Sequence, residues 1–282
     1  MIHKKWFILA ASILLVTGCS NEEATTTEDN TETEEVQTEE SVESSEGDVE
    51  EQSDETEEET VGEEAVQAEA QYRVNSGNWS LEPIADAPAE AVLFTIDDAP
   101  DRYGLEMAQT LKELNIPAIF FVNGHFIATE EKQEILKEIH ELGFAIGNHT
   151  DNHPNLQNIS EEQQRDEIVL LSDKIEGIIG ERPKFFRAPF GVNTDFSRSL
   201  VEEEGMVLMN WSYGYDWESQ YMNPESLADI MVNTEYLRNG ANLLMHDREW
   251  TAEALPGIVE GLKEKGYTFI DPDDIEGVEV TE

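Results

Sequence analysis

Residues 91–100 read Ala-Val-Leu-Phe-Thr-Ile-Asp-Asp-Ala-Pro, and this stretch carries the fold in outline. Ala91–Ile96 is a short apolar run closed by two carboxylates and a proline, the pattern of a buried strand. A helical pattern over Leu105–Leu114 follows at once. Outward from there the alternation repeats to the C-terminus. Further short apolar runs lie at Ala118–Val122, Phe144–Gly147, Lys184–Arg187, Met206–Trp211, Ala241–His246 and Tyr267–Ile270. Helical patterns separate them at Glu131–Leu142, Glu161–Ile179, Ser197–Glu204, Pro224–Leu237 and Ala252–Lys265. Ser160 with Gln163 has the signature of a capping box. Asn223-Pro224 has that of a cap followed by proline at the first helical position. About seven strands alternating with helices predict an α/β domain with a parallel sheet and right-handed crossovers. An open doubly wound sheet and a barrel both fit. In either, loops at the C-terminal ends of the strands hold the site.

Upstream of Tyr72 the composition changes. The chain has 282 residues, 63 acidic and 17 basic, for a net charge of −46. Residues 20–70 hold 22 of the acidic residues and no Lys, Arg or aromatic side chain. Such a segment cannot bury enough apolar surface to offset its ordering entropy and is predicted to be disordered. As a flexible chain it would span ~40 Å, more with self-repulsion. Residues 72–282 then form one domain. Residues 71–282 still carry 41 acids against 15 bases. That balance argues against nucleic acid as a partner, because phosphate recognition needs clustered cations.

At the N-terminus, Lys4 and Lys5 precede an apolar run from Trp6 to Val16. The run is too short to cross a hydrocarbon core of ~30 Å, so residues 1–18 read as a signal peptide. Val16-Thr17-Gly18-Cys19 resembles a bacterial lipobox. That resemblance implies a lipid anchor on Cys19, with residues 19–71 as a tether on the outer face of the cell membrane. Cys19 is the only cysteine, which excludes a disulfide scaffold and a Cys-rich zinc site.

Polar residues collect after the expected strands: Asp97 and Asp98, His149 and His153, Arg187, Asp216 and Trp217, with His246 ending the sixth. Packing alone does not explain such convergence. His149 and His153 are four apart, and on one helical turn both rings would share a face. Two imidazoles and a carboxylate make an open site for Zn²⁺ or a similar ion. Adjacent Asp97 and Asp98 repel unless something cationic lies beside them; a metal would take one as ligand and leave the other as base. The bland alternative for this pair is a helix cap ahead of Pro100. Leu244 and His246, two apart on a strand, face the same side. His125 and His140 read as structural.

The motifs resemble those of the polysaccharide deacetylases of the NodB-homology type, carbohydrate esterase family 4. Phe94-Thr95-Ile96-Asp97-Asp98-Ala99-Pro100 is similar to the family's TFDDGP. His149-Thr150-Asp151-Asn152-His153 is similar to H-S/T-x-x-H, and Phe186–Gly191 to RxPY/F. Asp216-Trp217 is similar to the end of DxxDW, and Leu243–Asp247 to LxxH. All five stand in the family's order. The resemblance implies a distorted (β/α) barrel and a metal-dependent polysaccharide N-deacetylase. It implies Asp97 as general base, held by Arg187, and His246 as general acid, oriented by Asp216. It also implies Asp98, His149 and His153 as ligands of a divalent ion, zinc foremost, with cobalt, nickel or manganese as alternatives. Trp217 and Leu244 would enclose the acetyl methyl group, and the Phe190 N–H would bind the oxyanion. The expected partner is a cell-wall glycan, N-acetylglucosamine of peptidoglycan first, met by a monomeric domain.

Three positions depart from the family pattern. Ile96 replaces Phe, Ala99 replaces Gly in a turn expected to favour positive φ, and Tyr213 replaces the first Asp of DxxDW. The last two favour an alternative reading, a catalytically weak or inactive lipoprotein on this scaffold that binds the cell wall.

Overall fold

Strand β3 (Ala91–Ala99) is the centre of a seven-stranded parallel sheet in the computed structural model, which describes residues 69–278. The expected signal peptide, Cys19 and almost all of the expected acidic tether lie outside the described residues. On one side β3 is followed by β4 (Ala118–Val122), β5 (Ala145–Asn148), β6 (Phe185–Phe186) and β7 (Val207–Leu208). On its other side lies β8 (Ala241–His246), and β9 (Thr268–Phe269) pairs with the first two residues of β3.

The sheet closes on itself just past β7. The Ser212 N–H donates to the Asn242 carbonyl at 2.8 Å, and the Leu244 N–H to the Tyr213 carbonyl at 2.9 Å. This is the expected distorted barrel. It also explains why β7 is shorter than the apolar run Met206–Trp211. The run's first half pairs with β6, and the chain just beyond it with β8, so no single ladder spans it.

Alternation along β3 sorts its side chains into two layers. Val92, Phe94 and Ile96 pack outward in a core that includes Met107, Leu111, Leu255 and Ile258 from the surrounding helices. Ala91 and Leu93 point inward with Ile119, Phe121 and Phe185, filling the lower barrel. On β8, Leu243 and Met245 join the outer core, which leaves Asn242, Leu244 and His246 for the interior. The outer helices are α1 (Gly104–Leu114), α2 (Glu130–Glu141), α3 (Glu161–Arg165), α4 (Leu171–Ile179), α5 (Asp195–Glu203), α6 (Pro224–Asn233) and α7 (Glu249–Glu264). Both expected caps are present: Ser160 and Gln163 bond reciprocally, and Asn223 accepts the Ser226 N–H at 2.9 Å.

Two features differ from expectation. The helix foreseen over Glu161–Ile179 contains one π-helical turn, Asp166–Leu170, between α3 and α4. An antiparallel hairpin of β1 (Tyr72–Val74) and β2 (Leu81–Pro83) precedes the barrel. Its Tyr72 and Leu81, with Ile275, join the inner apolar cluster and close the barrel floor. Each of its strands is three residues long and supplies one or two side chains to that cluster, too few for periodicity to register.

Candidate active site

Above the apolar floor the barrel interior becomes polar. Arg187 follows β6 and is 0 % exposed. Its guanidinium donates to Asp97 Oδ1 at 2.6 Å, Thr95 Oγ1 at 2.8 Å, the Asn210 carbonyl at 2.8 Å and Asn242 Oδ1 at 3.2 Å. Below, it lies 4.2 Å from the centre of the Phe121 ring. Buried charge is costly unless paired and hydrogen-bonded, and this array supplies both. Asp97 is held through one oxygen, and its Oδ2 stands 3.5 Å from His149 Nε2.

A regular strand would send Asp97 and Asp98 to opposite faces. Here β3 carries one extra residue relative to β4 between Ile96 and Ala99, and Asp98 takes φ +60°. Such a bulge re-aims a side chain, and aspartate tolerates the left-handed region better than most residues. Both carboxylates therefore line one cleft. Each also has its own arginine: Arg187 on Asp97, and Arg248 on Asp98 at 3.0 Å. Neither aspartate caps α1. That role falls to Asp247, which accepts the N–H groups of Arg102, Tyr103 and Gly104.

His149 and His153 are not on a helical turn. His149 directly follows β5, and the chain then turns through Thr150 at φ +69° and His153 at φ +57°. The loop, rather than helical spacing, brings their rings to 5.0 Å centre to centre. Asp98, His149 and His153 each offer a ligand atom, all within 4.8 Å of one another. His149 Nδ1 donates to the Arg187 carbonyl at 2.6 Å, which leaves Nε2 for the cleft. Burial holds the pKa of His149 below its ordinary value, and burial together with the neighbouring His149 does the same for His153. Both are thus kept in the neutral form that binds metals.

His246 sits beside Asp97 by register, since the two are paired residues on β8 and β3. Its Nδ1 bonds Asp216 Oδ1 at 2.7 Å. The other Asp216 oxygen accepts the His246 N–H at 2.6 Å and the Thr251 hydroxyl at 2.9 Å. Burial pushes the His246 pKa down, but the Asp216 carboxylate outweighs it and holds the imidazole above its ordinary value. Asp97, Asp98, His149, His153 and His246 share a cleft of about 370 Å³ with Leu244, Phe190, Trp211 and Trp217. Trp217 is 46 % exposed and meets His246 edge-on at 5.4 Å, so it stands at the mouth. Phe190, 63 % exposed, packs on His153 at 4.9 Å. Its φ of +59° is an outlier for a bulky residue, and such backbone clusters at functional sites. Gly214 makes room for this rim, because a Cβ there would fall 2.4 Å from the Leu244 carbonyl and 2.8 Å from the Trp217 ring.

Neither suspicious departure disturbs the cleft. Ala99 is not in the left-handed region; that conformation belongs to Asp98, and the Ala99 side chain is core. Tyr213 points away from the site, into the outer core, and its hydroxyl donates to the Met231 carbonyl at 2.7 Å. His125 bonds the Asp151 carbonyl and His140 faces Glu181 at 3.6 Å; neither lines the cleft. Thr95, Asn242, Thr251 and Arg248 also support the site; Thr95 stands inside the first motif, and the other three lack any motif signal. Placement is a further trace: Thr95 and Asn242 fall on inward positions of two strands. Trp211, at the end of the apolar run Met206–Trp211, also lines the cleft, and nothing in the run marks it out.

The polysaccharide deacetylase family profile matches residues 85–209. A peptidoglycan-N-acetylglucosamine deacetylase of Bacillus cereus is 30 % identical over 217 residues, 73 % of this chain and 78 % of that protein. A second B. cereus protein of that name is 28 % identical over 186 residues, 64 % of this chain, and the match spans 66 % of that relative's own length. The solved structure of peptidoglycan deacetylase PdaC from Bacillus subtilis superposes with a TM-score of 0.59 at 28 % identity, covering 67 % of this chain and 90 % of that one. With the five motifs gathered at one barrel mouth, the chain belongs to the polysaccharide deacetylase family.

Proposed function

We propose that this chain removes N-acetyl groups from N-acetylglucosamine of peptidoglycan by metal-assisted amide hydrolysis. The observation that carries the proposal is the pairing of Asp97 with His246 across adjacent strands, beside the Asp98, His149 and His153 cluster. A carboxylate with one oxygen facing the cleft and an imidazole whose pKa is held above its ordinary value are the base and acid that amide hydrolysis needs. The donor set of one carboxylate and two neutral imidazoles suits a divalent ion with open positions, zinc foremost. His149 is oriented for it through its other nitrogen, as metal-ligating histidines are.

Such an ion, when bound, lowers the pKa of its water and polarises the acetamide carbonyl. Asp97 takes the proton of the attacking water through Oδ2, while Arg187 holds Oδ1. The Phe190 N–H donates to the oxygen on which charge develops. His246 gives a proton from Nε2 to the departing sugar amine, and acetate and a free glucosamine result. Trp217 and Leu244 close around the acetyl methyl. The peptidoglycan assignment is supported by the names of the relatives. In this reading Cys19 is lipidated, residues 20–70 tether a monomeric domain to the outer face of the membrane, and the support is the lipobox spacing and the acidic composition. The wall-binding alternative rests on Ala99 and Tyr213, and both side chains lie in the outer core, away from the cleft.

The test is acetate release from purified peptidoglycan and chitin oligomers, with Zn²⁺ or Co²⁺ supplied. Asp97→Asn should keep the metal and lose ~10²-fold or more in kcat, the scale of one general base. Asp98→Asn should instead weaken metal binding. A metal-loaded wild type that releases no acetate from any N-acetylglucosamine polymer would refute the proposal. A near-normal kcat in Asp97→Asn would refute the division of roles. For the anchor, Cys19→Ala should leave the membrane fraction, and a variant that stays bound would refute it.

A further inference from the structure

The loop that carries both candidate histidine ligands is latched to the π-helical turn between α3 and α4. A π turn of this kind is often found at functional sites, and two of its carbonyls accept hydrogen bonds from the loop. The Glu167 carbonyl accepts the Asp151 N–H at 3.0 Å, and the Ile168 carbonyl accepts Asn148 Nδ2 at 2.7 Å. The Glu167 side chain adds a second clasp: Oε2 accepts the Asn152 N–H at 2.7 Å, and Oε1 accepts Asn152 Nδ2 at 3.0 Å. Inside the loop, Asn148 Oδ1 accepts the Thr150 N–H at 2.9 Å, and Thr150 Oγ1 accepts the His153 N–H at 3.1 Å.

The loop needs such restraint. Thr150 and His153 both sit in the left-handed region, and neither is glycine. A strained residue of this kind persists only where its surroundings over-determine it. Glu167 alone provides three of the loop's acceptors, one from its backbone and two from its carboxylate. Among the described residues, no hydrogen bond or ion pair joins it to either histidine.

We propose that Glu167, presented by the π turn, is a positioning residue for the metal ligands. It holds the loop from His149 to His153 in the shape that lets both imidazoles share one ion with Asp98. This rests on the metal-site reading above. Glutamine at 167 keeps an acceptor for the Asn152 N–H, and its amide can pair with a turned Asn152 amide; alanine keeps only the backbone bond.

The experiment uses the full chain, stripped of metal and titrated with Zn²⁺ against a chromogenic chelator. The visible absorption of the Co²⁺ form reports ligand geometry. Glu167→Ala should bind Zn²⁺ about tenfold more weakly, the lower end for an outer-shell partner, with a changed Co²⁺ spectrum. Glu167→Gln should stay within about threefold of wild type, with the wild-type spectrum. Should the alanine variant fail to fold, Asn152→Ala decides, because it lies at an exposed position and removes the side-chain half of the clasp. It should weaken Zn²⁺ by about threefold or more. Unchanged affinity and spectrum in the alanine variants, or a glutamine variant as weak as alanine, would overturn the proposal while leaving the metal site intact. A wild type that binds no Zn²⁺ would overturn the metal reading and this one with it.

Discussion

Arg187→Met tests the buried array on which the site stands. Methionine can lie along the Phe121 ring where the arginine stem does, so packing changes little. What disappears is the cation beside Asp97, a carboxylate that is almost wholly buried and 2.6 Å from it. Removing one partner of a buried pair costs about 3–5 kcal/mol, mostly because the remaining charge has no compensation. In a domain of this size each kcal/mol lowers Tm by roughly 2–4 °C, so a fall of about 6–20 °C is expected. Denaturant unfolding in the presence of chelator measures the loss free of bound metal. The double variant Asp97→Asn/Arg187→Met removes both charges and should recover about 2 kcal/mol of it, the sign expected of coupled neighbours. A loss under about 1 kcal/mol for Arg187→Met, or a double variant no more stable than the single, would show that the charge pair is not what holds this layer together.

Three further outcomes follow from the geometry. Asp216 raises the pKa of His246, and a general acid works only while protonated. The alkaline limb of kcat should therefore move to lower pH in Asp216→Asn, where burial remains and the raising charge is gone; an unmoved limb would exclude His246 as the titrating acid. By the same sign, stability from the His246–Asp216 pair is complete below the ordinary histidine pKa and fades as pH rises through the elevated one, which stability measured across neutral to alkaline pH should show in wild type and not in the variant. The His149→Ala/His153→Ala double variant should lose its divalent ion by elemental analysis, since a lone carboxylate cannot replace three ligands; full occupancy would overturn the cluster. Gly214→Ala forces a Cβ toward the Leu244 carbonyl and the Trp217 ring, so acetate release should fall severely, and wild-type kinetics there would show that the rim need not be so close-packed.

Much of this fold was legible because its signals are local. Strands β3, β4 and β8 are continuous apolar runs, and Ser160 and Asn223 cap helices within three residues of themselves. The candidate ligands were legible as a set because the chain places them at strand ends, which a parallel barrel must bring together. The conformations that aim them were not. The bulge at Asp98 exists only against β4, and the turn between His149 and His153 is shaped by Glu167 on another element. Helical spacing suggested the right pair of histidines for the wrong geometric reason. Arg248 was invisible for a related cause: its partner Asp98 lies on the first strand of the barrel, and no local pattern links them. Ala99 looked like a defect because the left-handed residue was expected one position too late.

The hairpin that seals the floor also sets where the chain enters the domain. Tyr72 bonds residues near the C-terminus, and Leu81 and Gly240 lie at the entry ends of β3 and β8. The cleft opens at the exit ends of those same strands. Anything joined to the chain ahead of residue 69 is therefore attached at the pole opposite the cleft. The mouth of the cleft is thus clear of the point where the chain enters the domain.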